Sequence, residues 1–234
     1  MIFDFGLMPK IQNQKSKIKN SHMSTNQTRL DLQIDVFKET KQQAKVLPNL
    51  TPPELIEAIL QEFQADMPYL SNQPADYHLK KATDQTQLND HKMLEQQLRA
   101  GDHLILVEKL PPIPSGAQRL TSHACLREES KGNVYNLYWQ PAIIGRLDKK
   151  QSHNDWVAVN LESYETGLSV SRRHAKITEE KGQYYIEGMS LNPISIKDIN
   201  GKLRAVTQAK QILNDGEVIH LERSNIDLKF MMRS

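Results

Sequence analysis

The sequence predicts two domains, an α+β domain followed by an all-β sandwich. Three observations carry that reading. The chain has 234 residues, more than a single average core organises. Before residue 110, a strand-like alternation precedes one capped amphipathic segment; after residue 119, short apolar runs are separated by turn signals with almost no helical periodicity. Between these halves, Pro111-Pro112-Ile113-Pro114-Ser115-Gly116 is stiff in its prolines and free to bend at its glycine, a composition suited to a domain boundary. The expected organisation is a flexible polar leader at 1–28, a first domain at 29–109, a Pro-rich linker at 110–119 and a second domain at 120–234.

The leader is rich in Lys, Asn, Gln and Ser from residue 10 onward, a composition that cannot offset the entropy of ordering. The first domain opens on Leu30, Leu32, Ile34 and Val36 alternating with polar residues, which is a strand with one wet face. A polar turn at Glu39 to Gln42 is expected next, then a second strand at Ala44 to Leu47. Thr51-Pro52-Pro53-Glu54 places a capping threonine, a proline in the first helical turn and a glutamate three residues after the cap, which together start a helix. Leu55, Ile56, Ile59, Leu60 and Phe63 form its apolar stripe. Tyr77 to Ala82 reads as a further strand, Thr86 to Leu88 as a short element, and Leu104 to Val107 as a last buried strand after the Gly101-Asp102 turn.

This order of strands and helix resembles a ubiquitin-like β-grasp domain, closest to bacterial members whose last strand follows a Gly-Asp turn. In such a sheet the helix covers one face, so Leu104 and Leu106 cannot share a side with Ile105 and Val107. Ile105 and Val107 are the candidate partner patch; on the alternative reading, the linker or the second domain covers the outer pair. The last strand runs on into Glu108 and Lys109 without a terminal Gly-Gly tail, so the resemblance does not extend to covalent conjugation.

In the second half, expected strands run at Ala124 to Arg127, Val134 to Tyr138, Ala142 to Ile144, Val157 to Leu161, His174 to Thr178 and Tyr184 to Glu187. Ile194 to Ile196, Lys202 to Val206, Val218 to Leu221 and Leu228 to Met231 continue the series, with Lys131-Gly132-Asn133 and Asn200-Gly201 as turns. Three blocks stand out on this β pattern: Gly145-Arg146, Ser171-Arg172-Arg173-His174-Ala175, and Ser190-Leu191-Asn192. In that order, followed by Leu213-Asn214-Asp215-Gly216-Glu217-Val218-Ile219, they resemble a forkhead-associated (FHA) domain, a family that binds phosphothreonine peptides.

The chemistry fits the residue types. A phosphothreonine carries nearly two negative charges and three acceptor oxygens, so its site needs cations and donors on rigid loops. By the resemblance, Arg146 meets the phosphate, Ser171 offers its hydroxyl and amide, Arg172 adds a phosphate or peptide contact, and Asn192 bonds the peptide backbone. Gly145 and His174 support the site, Gly145 by permitting close backbone approach and His174 by fixing the loop. Pro193-Ile194 replaces the Gly-Thr usual in relatives.

The resemblance implies a non-enzymatic signalling adaptor whose partner is a phosphothreonine protein, such as a Ser/Thr kinase or its substrate. A phosphate-independent scaffold of a bacterial secretion or other assembly is the alternative. A Ser171, His174, Asp155 triad lacks a nucleophile-elbow context. A formal charge of +2 and the lack of a broad basic stripe with interleaved aromatics argue against nucleic acid. No apolar run approaches membrane-spanning length, which argues against insertion. With scattered histidines and Cys125 as the only cysteine, neither a metal site, a cofactor nor a disulfide is expected, and the single thiol suggests a reducing, cytoplasmic setting.

Overall fold

The computed structural model describes residues 4–5, 29–148 and 154–233. The chain divides into two compact units, Met1–Phe63 with Gln73–Lys109, and Gln64–Asn72 with Leu110–Ser234. The segment Gln64–Asn72, placed in the first domain by the sequence reading, thus groups with the second unit, where the Arg233 guanidinium lies 5.1 Å from the centre of the Tyr69 ring.

In the first unit, β1 (Asp4–Phe5), β2 (Leu30–Val36), β3 (Glu39–Val46), α1 (Pro52–Phe63), β4 (Tyr77–Lys81) and β5 (His103–Glu108) form one helix and a sheet ordered β1-β3-β2-β5-β4. Strands β2 and β5 pair in parallel and the remaining pairs are antiparallel. Asp4 and Phe5 fall within the expected leader yet pair with Lys45 and Ala44, because the outer edge of β3 offers unpaired backbone groups. The rest of that leader lies outside the described residues.

Helix α1 starts where its cap predicts. The Thr51 amide donates to Glu54 Oε2 at 2.7 Å, Thr51 Oγ1 donates to the same oxygen at 2.8 Å, and the Leu55 amide closes the first turn on Thr51 O at 3.1 Å. These bonds hold the Glu54 carboxyl below its ordinary range. Leu55, Ile56, Ile59, Leu60 and Phe63 are buried, as are Leu32, Ile34, Val36, Leu79, Leu104 and Leu106 from the sheet. Alternation therefore sends Ile105 and Val107 to the other face, half-buried, beside their cross-strand neighbours Asp35, Lys80 and His78. On that face His103 Nε2 lies 2.8 Å from Asp35 Oδ1, so the surroundings of the apolar pair are polar.

The first hairpin turns earlier than expected, at Phe37-Lys38, with Phe37 at φ +55°. The polar residues read as a turn belong to β3 itself. Lys41 takes φ +51° and its amide donates to Asp35 Oδ1 at 2.6 Å, an irregularity that accommodates polar residues in a strand with an exposed face.

The second unit is a two-sheet sandwich. Its strands are β6 (Gln118–Glu128), β7 (Val134–Gln140), β8 (Ala142–Gly145), β9 (Val157–Asn160), β10 (Ala175–Glu180), β11 (Gln183–Gly188), β12 (Ile194–Lys197), β13 (Leu203–Val206), β14 (Gln211–Leu213), β15 (Val218–Leu221) and β16 (Ile226–Arg233). One sheet runs β14-β11-β10-β8-β9 and the other β13-β12-β15-β16-β6-β7. Leu126, Ile144, Val159, Ile177, Tyr184, Ile186, Ile196, Ile219, Leu228 and Phe230 are buried in the core that both sheets share, and the Tyr184 and Phe230 rings meet at a tilt of 58° with centroids 5.0 Å apart.

Strand β6 begins inside the expected linker: Gln118 and Arg119 already pair with Gln140 and Trp139. A register shift between Arg119 and Ala124 breaks the alternation there, which hides the first half of the strand from a pattern reading. The Glu179 carboxylate ties this irregular stretch to β10. It accepts the Thr121 amide at 2.7 Å, the Thr121 hydroxyl, and the Gly182 amide at 3.2 Å. Burial pushes its pKa up, but these donors outweigh burial and leave it below the ordinary value.

Candidate functional site

Three neighbouring strands end at one level. Ala175 at the start of β10 pairs with Ile144 in β8 and with Gly188 at the end of β11. The His174 amide donates to Ile144 O at 2.9 Å, and the Met189 amide donates to His174 O at 2.9 Å. The chain leaving β8 at Arg146, the chain entering β10 through Ser171 to His174, and the chain leaving β11 toward Asn192 therefore emerge side by side. Sheet register alone brings the three sequence blocks to one end of the sandwich.

Gly145 makes the closest approach. A Cβ built on it would stand 2.2 Å from Arg172 O and 3.0 Å from Ser171 O, both backbone atoms, so only glycine fits. Gly167 plays a similar part in the loop before β10, where a Cβ would stand 2.4 Å from Leu161 O.

Side chains then lock the loops together. Arg146 Nε donates to Val170 O at 2.9 Å. Asn192 Nδ2 donates to Ser171 Oγ at 2.9 Å and to Ser169 O at 3.1 Å, while its own amide donates to Ser190 Oγ at 3.2 Å. Arg146, Ser171 and Asn192 are half-buried, fixed on their protein side while retaining a solvent-facing portion.

His174 lies beneath this surface at 1% exposure. Its Nδ1 accepts the Ser171 amide at 3.1 Å, and burial pushes its pKa down to about 4, so the ring is neutral with its proton on Nε2. This geometry does not make a nucleophile pair: the imidazole engages the Ser171 amide, whereas the Ser171 hydroxyl engages Asn192.

Arg172 is arranged differently from Arg146. Its side chain is 53% exposed, and Nε lies 3.2 Å from Asp148 Oδ2, a carboxylate only 11% exposed. Asp148 is seated by a reciprocal pair: its amide donates to Asn154 Oδ1 at 2.9 Å, and Asn154 Nδ2 donates to Asp148 O at 2.7 Å. Sequence reasoning did not single out Asp148 or Asn154, since a carboxylate two residues after Arg146 has no periodic signal. It also missed the apolar rim, where Leu168 is 80% and Leu191 is 93% exposed. Pro193 is exposed at the foot of that loop, and Ile194 is buried as the first residue of β12.

A polar cleft elsewhere on the unit, lined by Glu128, Lys131, Tyr164, Thr166, Ser224 and Asn225, contains none of the predicted site residues. Among the described residues, no group of three or more His, Cys, Asp or Glu side chains is placed to hold a metal ion. No helix among them is long and apolar enough to cross a membrane.

Comparison with known proteins agrees with the motif reading. Residues 142–222 match the family model of the FHA domain. No curated protein sequence matches the chain. Similar solved structures include Mycobacterium tuberculosis EmbR in complex with a low-affinity phosphopeptide, 24% identical over 48% of this chain and 25% of that one, with a TM-score of 0.36. The match therefore spans a quarter of the EmbR chain. The FHA domain of human APLF in complex with a bisphospho peptide is 21% identical over 47% of this chain and 97% of that one, with a TM-score of 0.36. The FHA domain of an Arabidopsis thaliana protein is 18% identical over 52% and 95%, with a TM-score of 0.35. On the family-model match, residues 142–222 of this chain are an FHA domain.

Proposed function

We propose that the protein is a non-enzymatic adaptor whose FHA domain binds phosphothreonine peptides of a partner protein. The observation that carries this reading is the convergence of Arg146, Ser171 and Asn192 on three loops bonded to one another. A phosphate needs a cation and neutral donors held before it arrives, since ordering them on binding would consume affinity. Arg146 supplies the cation, Ser171 a hydroxyl and Asn192 an amide, while Gly145 and His174 keep the loops in place. The exposed Leu168 and Leu191 offer apolar contact to the flanking peptide chain.

For the first unit we infer a ubiquitin-like β-grasp domain acting as a second interaction module. The parallel pairing of β2 with β5, and the apolar stripe of α1 buried with one face of the sheet, support it. Its contact surface centres on Ile105 and Val107. The partner class is a Ser/Thr kinase or its phosphorylated substrate, met in a reducing cytoplasmic setting, in keeping with Cys125 as the only thiol.

The test is calorimetric titration of the full chain with peptides selected from an oriented phosphothreonine library, each beside its unphosphorylated twin. Binding confined to the phosphorylated form is expected. Equal affinity for both forms would leave the phosphate-independent scaffold reading in its place.

A further inference from the structure

The side-chain amide of Asn192 carries two N–H donors on Nδ2 and an acceptor oxygen, and the protein uses only the donors. Nδ2 donates to Ser169 O at 3.1 Å and to Ser171 Oγ at 2.9 Å. Ser169 O is a carbonyl and can only accept, which fixes nitrogen on that side of the amide and assigns one hydrogen to each contact. Among the described residues no group donates to Oδ1, and the atom is not buried, so an acceptor is what this half-buried side chain turns to the surface. The donors of Ser171 are assigned as well. Its amide donates to His174 Nδ1 at 3.1 Å and its Oγ accepts from Asn192, so the hydroxyl hydrogen is its one remaining donor and points away from Asn192.

We propose that Asn192 reads the bound peptide as an acceptor alone, through Oδ1, and that the site therefore selects chains with a free backbone N–H at one position on or next to the phosphothreonine and rejects a tertiary amide, such as a proline, there. The inference rests on the phosphopeptide reading above. With both hydrogens of Nδ2 committed, the amide cannot donate to a peptide carbonyl without abandoning Ser169 O or Ser171 Oγ, and either loss unfastens two loops as the ligand arrives. Oδ1 shares its planar group with the nitrogen that holds Ser171 Oγ. The N–H it accepts thus belongs to a peptide bond close to the residue whose phosphate takes the Ser171 hydroxyl. A proline or N-methyl group at that bond has no hydrogen to offer and shuts Oδ1 away from water without a donor, so the penalty is a desolvated acceptor as well as a lost bond. Discrimination of this kind comes from an unpaired polar group and acts on the peptide backbone, whatever side chains flank the phosphoresidue.

The experiment titrates the full-length protein with a library-selected phosphothreonine peptide and with versions that lack one backbone N–H, at the phosphothreonine, the residue before it or the residue after it. Each N–H is removed in two ways: by an ester link, which adds no bulk, and by N-methylation, which keeps the neighbouring carbonyl a strong acceptor. One position is expected to lose affinity about three- to tenfold in both forms, the worth of one hydrogen bond, while esters at the other two stay within about twofold of the parent. Asn192→Ala, checked for folding by thermal melting, should bind the parent more weakly and treat amide and ester alike within about twofold. Asn192→Asp keeps an acceptor and loses both donors, so it should bind every peptide more weakly yet retain the preference for the amide. Three results overturn the inference and spare the phosphopeptide reading: no position in wild type sensitive to both modifications, a preference that survives in folded Asn192→Ala, or one that is lost in folded Asn192→Asp. Equal affinity of wild type for the parent peptide and its unphosphorylated twin overturns the two together.

Discussion

Asn192 Nδ2 lies 2.9 Å from Ser171 Oγ and joins the loop leaving β11 to the loop entering β10. One amide group thus makes the two loops a single surface, with a second bond to Ser169 O at 3.1 Å. Neutral hydrogen bonds of this kind contribute about 0.5–1.5 kcal/mol each. Asn192→Ala and Ser171→Ala are therefore expected to cost less together than the sum of their separate losses, with a coupling of about 0.5–1 kcal/mol. Urea unfolding of the two single variants and the double variant measures it. Strict additivity would mean that the bond carries no stability.

Arg146 has two tasks that substitution can separate. Arg146→Ala removes a charge-assisted contact worth about 1.5–3 kcal/mol and should raise the phosphopeptide dissociation constant roughly tenfold to a hundredfold. It also leaves Val170 O without its donor, so melting should fall by the worth of about one hydrogen bond. Arg146→Lys retains the charge but not the Nε geometry and is expected to remain weakened in calorimetry. Full affinity in the lysine variant would show that charge alone suffices.

Gly145→Ala should be the most damaging single-methyl change in the domain. The added Cβ meets backbone at 2.2 Å, with no flexible side chain to yield. Overpacking costs about 1–3 kcal/mol where neighbours can move, so a larger loss is expected here, along with phosphopeptide binding. Unfolding midpoints and peptide titration of the variant test both parts; a variant as stable as wild type would contradict the close approach.

His174 should give the domain a particular pH profile. Its folded pKa of about 4 lies below the unfolded value of about 6.5, so the unfolded chain binds the proton more readily between those limits. The stability linked to the neutral ring is complete above pH 6.5 and is lost as pH falls toward 4, by on the order of 3 kcal/mol. Glu128 and Glu179, held below their ordinary range, act lower, from about pH 4.5 downward. His174→Gln, which still offers an acceptor to the Ser171 amide, is expected to flatten the profile above pH 4.5 while leaving the acid limb. Denaturant titrations across pH would refute the assignment if the two profiles ran parallel.

What the sequence disclosed depended on whether a feature was local. The capping box at Thr51 and Glu54 needs only four residues, and it appears as read. Parity divided Leu104 and Leu106 from Ile105 and Val107, but which pair met the helix depended on packing. The turn at Phe37-Lys38 was missed because no residue there is a usual turn former, and β14 because Gln211 to Leu213 is a three-residue edge strand, too short to show an alternation. At the site, Arg146, Ser171 and Asn192 were legible through their blocks. The bond of Arg146 to Val170 O, that of Asn192 to Ser171 Oγ, and the contact of Arg172 with Asp148 come from register between strands distant in sequence.

The β2 to β5 and β6 to β16 pairings bear on how the protein is made. In the first unit, Val36 lies opposite Leu106; in the second, Glu128 lies opposite Leu228. Each unit thus joins a strand from near its beginning to the strand that ends it. A ribosome delivers these partners far apart in time, so neither sheet can be completed until its last strand has emerged. Contacts of such long sequence separation make for slow folding, and in the interval β6 exposes an edge that β16 will later cover. A nascent chain arrested before Ile226 would present that edge to its neighbours, and association among such chains competes with the final pairing.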